Sequence, residues 1–131
     1  MGIAAWAAVG GGAAVGAWMR WGLGMLLNPV FPTVPLGTLA SNLIAGLLMG
    51  ISMELITRTA AMPPEIRLLM TTGFLGGLST FSTFDAEIVT LLSHREYFWG
   101  TLTASAHLVG SVVLTILGIY AVRLVFPLEA A

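Results

Sequence analysis

The residues best able to bind an ion lie together near the middle of the chain, at positions 73–84, which read GFLGGLSTFSTF. Three glycines and four hydroxyl residues occupy these twelve positions. Glycine in a helix interior costs about 1 kcal/mol relative to alanine, so a continuous helix is unfavourable here. We therefore predict a break at 76–79, where released backbone carbonyls would suit a hard cation.

Aromatic and polar side chains alternate just after this predicted break. Phe81 and Phe84 are three positions apart, a spacing that places two side chains on one face of a helix. Such a pair usually packs in a core, but the edge of a phenyl ring carries partial positive charge and can face an anion. Ser82 and Thr83 add hydroxyls beside the rings, and Glu87 could face the same path.

Two other stretches carry polar side chains at a spacing of four, on one helical face: Thr38 and Asn42 with Gly46, and His107, Ser111 and Thr115. Asn42 can donate two hydrogen bonds from its amide, although a lone asparagine in a membrane often holds helices together. His107 could carry a proton or stay neutral, bonded between helices. The spacing leaves these alternatives open.

Gly12, Gly16 and Arg20 repeat the spacing of four near the start of the chain. Small residues at this spacing let helix backbones approach closely. Arg20 could extend its long stem to the membrane interface, brace a loop, or attract an anion at a pore mouth. Of these roles, the structural ones are favoured.

The composition indicates that lipid surrounds the elements that position these residues. The chain is 57% hydrophobic and 8% charged, against roughly 25% charged in ordinary soluble domains. So few charges cannot cover the surface of a small soluble protein. The net charge of −1 without a basic cluster argues against nucleic acid as a partner, and the absence of cysteine excludes disulfides and thiolate metal sites.

Uncharged stretches, separated by a proline-rich connection and by short charged turns, predict four membrane-spanning helices. A helix needs about 20 apolar residues to cross the hydrocarbon, and proline disfavours helix at the residue before it. The predicted ranges are about 3–27, 34–56, 66–93 and 97–123. The fold class is therefore an all-α integral membrane protein, with one domain over 1–131.

Many hydrogen-bond donors and almost no fixed charge suit a small anion better than a cation. A proton-coupled small-molecule or anion transporter of four spans is the main alternative, but it would need a carboxylate inside the membrane, and Glu54 lies at a helix end. A non-conducting structural subunit is another alternative. The arginines divide three to two between the two sides, a bias too weak to choose between one orientation and both.

The chain resembles the Fluc/CrcB family of fluoride channels over essentially its whole length. The resemblance is carried by GAWMRW at 16–21, PLGTLASN at 35–42 and, most specifically, GFLGGLSTFSTF at 73–84, with Ser111 and Thr115 matching the fourth helix. It implies an antiparallel homodimer with dual topology and two fluoride pores. It also implies passive export of fluoride across the cell (inner or plasma) membrane by a multi-pass protein.

The resemblance also implies roles for individual residues. A structural sodium ion would lie at the dimer centre, held by the backbone carbonyls of Gly76 and Ser79 from each subunit, although many relatives have Thr in place of Ser79. His107 stands where some relatives have Asn, which leaves its role open. The implied fluoride pathway comprises Asn42, Phe81, Phe84, Ser111 and Thr115, with Ser82 and Thr83 as a hydroxyl track and Thr38 and Glu87 near its ends.

Overall fold

The computed structural model describes residues 2–127, and in that part of the chain every regular element is helical. The elements in chain order are α1 (Ile3–Leu27), α2 (Leu36–Arg58), α3 (64–78), α4 (Ser82–Ser93) and α5 (Tyr97–Val125). Together α3 and α4 occupy the range predicted for the third membrane crossing, so the chain has four helices of which the third is interrupted. The predicted all-helical class is confirmed.

The connection between α1 and α2 is a proline-rich turn, as the sequence predicts. Asn28–Val30 forms a single 3-10 turn directly after α1. Helix α2 starts immediately after Pro35. The Asn28 side chain accepts a hydrogen bond from the Gly37 amide at 2.8 Å, which satisfies one of the donors that the first turn of a helix leaves unpaired. The turn is thereby fixed to α2.

Helix α3 changes its winding along its length. It is α-helical over Pro64–Leu68, π-helical over Leu69–Leu75 and α-helical again over Gly76–Leu78. Proline is well tolerated at the start of a helix because no amide donor is needed there. π-helical segments are rare and are frequent at functional sites. The sequence analysis did not predict this winding.

The break between α3 and α4 covers residues 79–81, so it begins three residues later than the predicted 76–79 and overlaps that range at Ser79. Ser79 still donates its backbone N–H to the Leu75 carbonyl at 3.0 Å, and its hydroxyl donates to the same carbonyl at 2.8 Å. The helix therefore persists past the glycines. The backbone of Ser79 is then extended (φ −78°, ψ 157°). Glycine weakens this helix, but the available hydrogen-bond partners decide where it ends.

Backbone-to-backbone contact joins α1 to α3 and α2 to α5. A Cβ atom added to Gly16 would lie 2.1 Å from the Phe74 carbonyl oxygen, and one added to Gly50 would lie 1.9 Å from that of Thr115. Only glycine fits at such distances, so these helices pack in the manner common among membrane helices. The close contact holds the residues of α2 and α5 in a fixed relation.

The surface of the chain is unusually apolar. Large apolar side chains such as Trp6 (74% exposed) and Leu124 (81% exposed) point outward, and exposed apolar area of this kind marks a membrane or protein contact. By length and composition, α2 and α5 could each cross a membrane. Two of the four predicted crossings meet this test.

Candidate functional site

Asn42, on α2, holds the break between α3 and α4 in place. Its Oδ1 accepts a hydrogen bond from Thr80 N at 2.7 Å, and its Nδ2 donates to Thr80 O at 2.9 Å. One side chain thus satisfies both backbone groups of a residue outside regular structure. In a continuous α-helix Thr80 N would donate to the carbonyl four residues earlier, that of Gly76. Asn42 therefore releases that carbonyl from helical pairing.

The same amide connects α2 to α5. Asn42 Nδ2 lies 2.9 Å from His107 Nδ1. Since Asn42 Oδ1 is bonded to Thr80 N, the amide nitrogen faces the imidazole, and Nδ1 is the acceptor. His107 thus forms the interhelical hydrogen bond that the sequence leaves as one of its two alternatives.

Three aromatic rings follow one another beside this amide. The ring centroids of Phe81 and Phe84 are 5.5 Å apart with an interplanar angle of 51°, and the Phe84 and His107 centroids are 4.7 Å apart. Phe81 caps α4 rather than lying within it and is 73% exposed. The chain break therefore brings the two phenyl rings together at the mouth of a polar region.

The residues around the break, α2 and α5 line a partly open cavity of about 360 Å³, called here the first cavity. Within the part of the chain that the structure describes, no lining residue carries a formal charge. Its lining includes both phenyl rings and six polar residues: Asn42, Ser79, Thr80, His107, Ser111 and Thr115. The first cavity thus combines amide, hydroxyl and imidazole groups with aromatic rings, which suits an anion entering without its full hydration shell.

The hydroxyls of the α5 stripe are bonded to backbone carbonyls. Ser111 Oγ donates to His107 O at 2.5 Å. Thr115 Oγ1 lies 2.9 Å from Gly46 O and 2.8 Å from Ser111 O. A hydroxyl has a single hydrogen, so these groups must rotate away from the carbonyls before they can donate to an ion.

A second cavity, of about 350 Å³, lies where α1, α2 and α4 meet. Its polar lining residues are Arg20, Asn28, Thr38, Thr80 and Thr83. Arg20 Nε donates to the Gly77 carbonyl at 3.1 Å, which braces the segment just before the break. Arg20 thus makes a structural contact and also lines the second cavity.

The wall of the second cavity is joined to a carboxylate on α4. Thr38 Oγ1 donates a short hydrogen bond to Glu87 Oε1, and Glu87 Oε2 is buried without a partner among the described residues. Thr80 Oγ1 donates to Thr83 Oγ1 at 3.1 Å. Thr80 lines both cavities.

Most of the residues singled out from the sequence lie at one of the two cavities. Ser82, Gly76 and Glu87 line neither: Ser82 and Gly76 are exposed, whereas Glu87 is half-buried and bonded to Thr38 of the second cavity. The sequence analysis gave Thr80 no role in the site, because the position of Thr80 depends on a partner on another helix. Thr103 was also missed, although it extends the α5 stripe by one more step of four; it is 1% exposed and its hydroxyl has no partner among the described residues.

A cation site in residues 2–127 cannot be built from side chains of the usual kind. No group of three or more His, Asp or Glu residues in that range could hold a metal. Backbone carbonyls remain as ligands: that of Gly76, released by Asn42, and that of Ser79, where the backbone is extended. Gly77 O is instead bonded to Arg20. Such neutral carbonyl oxygens are the kind of ligand that a hard cation accepts.

Comparison with known proteins gives consistent matches over nearly the whole chain. Residues 7–119 match the family described as CrcB-like protein, Camphor Resistance (CrcB). The chain is 56% identical over 123 residues to the "Fluoride-specific ion channel FluC" of Nitrosospira multiformis, covering 94% of this chain and 96% of that protein. Proteins of the same name from Aromatoleum aromaticum (55% over 114 residues, 87% of each chain) and Thiobacillus denitrificans (53% over 119 residues, 91% and 96%) are also similar.

Proposed function

The chain belongs to the CrcB family, and from that membership we propose that it is a fluoride-specific ion channel. It is not an enzyme. It lets fluoride leave the cell down its electrochemical gradient, as a multi-pass protein of the cell membrane. The observation that carries this proposal in the structure is the Asn42–Thr80 pairing, which opens the third crossing beside two phenyl rings and a cavity without formal charge.

The physical requirement is to replace the hydration of a small anion without trapping it. Conduction needs binding that is favourable enough for entry and weak enough for exit. The ring edges of Phe81 and Phe84, together with hydroxyls that can rotate away from their carbonyls, would meet both conditions. The proposed pathway comprises Asn42, Phe81, Phe84, Ser111 and Thr115 at the first cavity, the hydroxyls of Ser82 and Thr83 at the start of α4, and Thr38 with Glu87 near the second cavity.

Glu54 does not favour the alternative of a proton-coupled transporter. Glu54 Oε1 lies 2.8 Å from Arg58 Nε and 3.2 Å from Arg123 Nε, so it is paired at the end of α2 rather than free to exchange protons. Glu87 accepts a hydrogen bond from the neutral Thr38 hydroxyl at Oε1, and its Oε2 is buried without a partner among the described residues, so the transporter alternative rests on Glu87 and is decided by the flux assay. Proton coupling would need a carboxylate that is alternately exposed and buried.

An antiparallel homodimer with dual topology is the second part of the proposal. It rests on the family resemblance; the three-to-two division of arginines is compatible with it, and exposed apolar residues, Phe81 among them, leave surface for a second subunit. The carbonyls of Gly76 and Ser79 would hold a structural sodium ion between the two subunits. Such an ion would offset the partial negative charge of the carbonyls and join the two chain breaks.

Fluoride efflux from proteoliposomes tests the function directly. Purified protein is expected to release trapped fluoride, recorded with a fluoride electrode, at a rate far above that of protein-free liposomes. Chloride efflux under the same gradient is expected to match the protein-free control. A fluoride flux that appears only with an imposed pH gradient would favour the proton-coupled transporter. The absence of any fluoride flux would favour a non-conducting structural subunit.

Topology and sodium binding have tests that do not depend on flux. The chain has no cysteine, so His94→Cys places a single thiol in the turn between α4 and α5. Dual topology predicts that a membrane-impermeant thiol reagent labels about half of these molecules from outside intact cells, whereas a single orientation gives all or none. The sodium site predicts a higher melting temperature in sodium chloride than in N-methylglucamine chloride, and equal melting temperatures would contradict it.

A further inference from the structure

His107 has one bonded ring nitrogen and one without a partner. Only 4% of the residue is exposed. Its Nδ1 lies 2.9 Å from Asn42 Nδ2, whereas its Nε2 is buried with no hydrogen-bond partner in the part of the chain that the structure describes. Proteins normally satisfy buried polar groups, so an exception points to a functional role or to a ligand.

The position of the ring proton follows from the hydrogen bonds of Asn42. The N–H and C=O of Thr80 fix the orientation of the Asn42 amide, with its nitrogen toward His107. An amide nitrogen can only donate, so Nδ1 must accept and the proton of a neutral ring must sit on Nε2. An imidazolium would place two donors against each other. This contact therefore favours the neutral ring with Nε2–H.

The other donors of the first cavity are already bonded to the protein. The two hydrogens of Asn42 Nδ2 face Thr80 O and His107 Nδ1. The hydroxyls of Ser111 and Thr115 donate to backbone carbonyls. His107 Nε2–H is thus the side-chain N–H of this cavity that has no acceptor.

We propose, on the basis of the fluoride-channel function above, that His107 Nε2–H donates a hydrogen bond to the permeating fluoride. Asn42 is then a positioning residue that selects the required tautomer. The imidazole lies against the Phe84 ring, with the centroids 4.7 Å apart, so an ion bound at Nε2–H would lie close to that ring. Nε2 is covered rather than open to the cavity, and the ion reaches it when a neighbouring side chain moves. A neutral donor binds fluoride without the fixed charge that would retain it.

Two amide replacements of His107 separate the Nε2–H donor from the Nδ1 acceptor that Asn42 binds. Asn at this position can place an oxygen near the site of Nδ1 and so keep the bond from Asn42, but it has no group near Nε2. Gln can place its nitrogen near Nε2, but it leaves Asn42 without the acceptor. In the efflux assay we expect His107→Asn to reduce the fluoride rate about tenfold and His107→Gln to retain more flux. The reverse order, or a His107→Asn rate equal to that of the wild type, would overturn the proposal.

His94 supplies the matched control, since it is the second of the two histidines and lines neither cavity. His94→Asn is expected to conduct at the wild-type rate. Failure of the wild-type chain itself to conduct fluoride would refute the channel function rather than the role of His107. The two failures are therefore distinguishable.

A spectroscopic test leaves residue 107 unchanged. His94→Gln protein carrying ¹⁵N-labelled histidine has one imidazole signal pair, from His107. In lipid nanodiscs we expect a protonated Nε2 and an unprotonated Nδ1, with an Nε2–H resonance that shifts on addition of sodium fluoride and not of sodium chloride. A ring protonated at Nδ1, or an Nε2–H resonance that does not respond to fluoride, would overturn the proposal.

Discussion

The two cavities are nearly equal in volume, about 360 and 350 Å³, and share Thr80 in their walls, but they differ in charge. The first is lined by phenyl rings, an imidazole and neutral polar groups. The second is lined by Arg20 and contains Thr38, which is bonded to the Glu87 carboxylate. The chain thus separates charged groups from neutral donors around a single residue.

This separation matches two different tasks in moving an anion. A positive charge attracts anions from solution over several ångströms, but where little water is present the same charge would hold the ion strongly. Neutral donors and ring edges can replace hydration without that cost. Substitutions at the first cavity should therefore change the maximal fluoride flux. Substitutions at the second cavity should change only the part of the flux that depends on salt concentration.

The largest effect on fluoride flux is expected from Asn42, which holds Thr80, the residue that lines both cavities. Asn42→Ala removes both hydrogen bonds to Thr80 and the contact with His107. The break then loses the contacts that hold it open beside the cavity, and we expect fluoride efflux to fall at least about 100-fold. The melting temperature of the detergent-solubilised protein should fall as well.

The neighbouring residue gives a control for this substitution. Ser41 is fully buried on α2, and its hydroxyl donates to the Gly37 carbonyl of the same helix at 2.8 Å. Ser41→Ala should leave the flux unchanged, because no contact with the break is lost. An Asn42→Ala channel that conducts normally would mean that the break needs no support from α2. The position of Thr80 between the two cavities would then not matter for conduction.

A smaller effect is expected within the neutral cavity. Phe84→Ile keeps an apolar side chain but removes a ring edge next to both Phe81 and His107. Aromatic contacts are worth about 0.5–1.5 kcal/mol beyond their buried area, so we expect the flux to fall up to about tenfold. Leu108→Ile, at an apolar residue of the same lining, should conduct like the wild type. Equal rates for all three proteins would remove the ring edges from the mechanism.

Much of this arrangement can be predicted from the sequence because it depends on local patterns. Charge-free stretches and prolines give the helix ranges to within a few residues: α1 is as predicted, and α2 begins two residues later because Pro35 precedes it. The spacing of four predicts that Asn42 and His107 lie on faces turned to other helices. Family membership, predicted from the strings at 35–42 and 73–84, is confirmed.

The remaining features depend on partners from distant parts of the chain. Counting glycines places the break at 76–79, but the helix ends only where Asn42, 38 positions earlier in the chain, takes the Thr80 amide. Thr80 differs in no local property from its neighbours, so its place in both cavity walls was not predictable. The π-helical winding over Leu69–Leu75 has no signature in composition. Phe81 is the residue that precedes α4, yet its backbone is helical and its carbonyl accepts the Asp85 amide at 2.9 Å, so the predicted three-residue spacing does pair its ring with Phe84.

The smallest effect is expected in the second cavity, at Arg20. Arg20→Gln removes the charge, whereas Arg20→Lys keeps it; both alter the bond from Arg20 Nε to Gly77 O. If Arg20 attracts fluoride, Arg20→Gln should lower the initial flux about two- to threefold at low ionic strength, and added potassium gluconate should abolish the difference because salt screens such attraction. Arg20→Lys should conduct like the wild type at both salt concentrations. Equal losses in the two variants, unchanged by salt, would instead show that Arg20 acts only by bracing the break, and the charge of the second cavity would have no part in conduction.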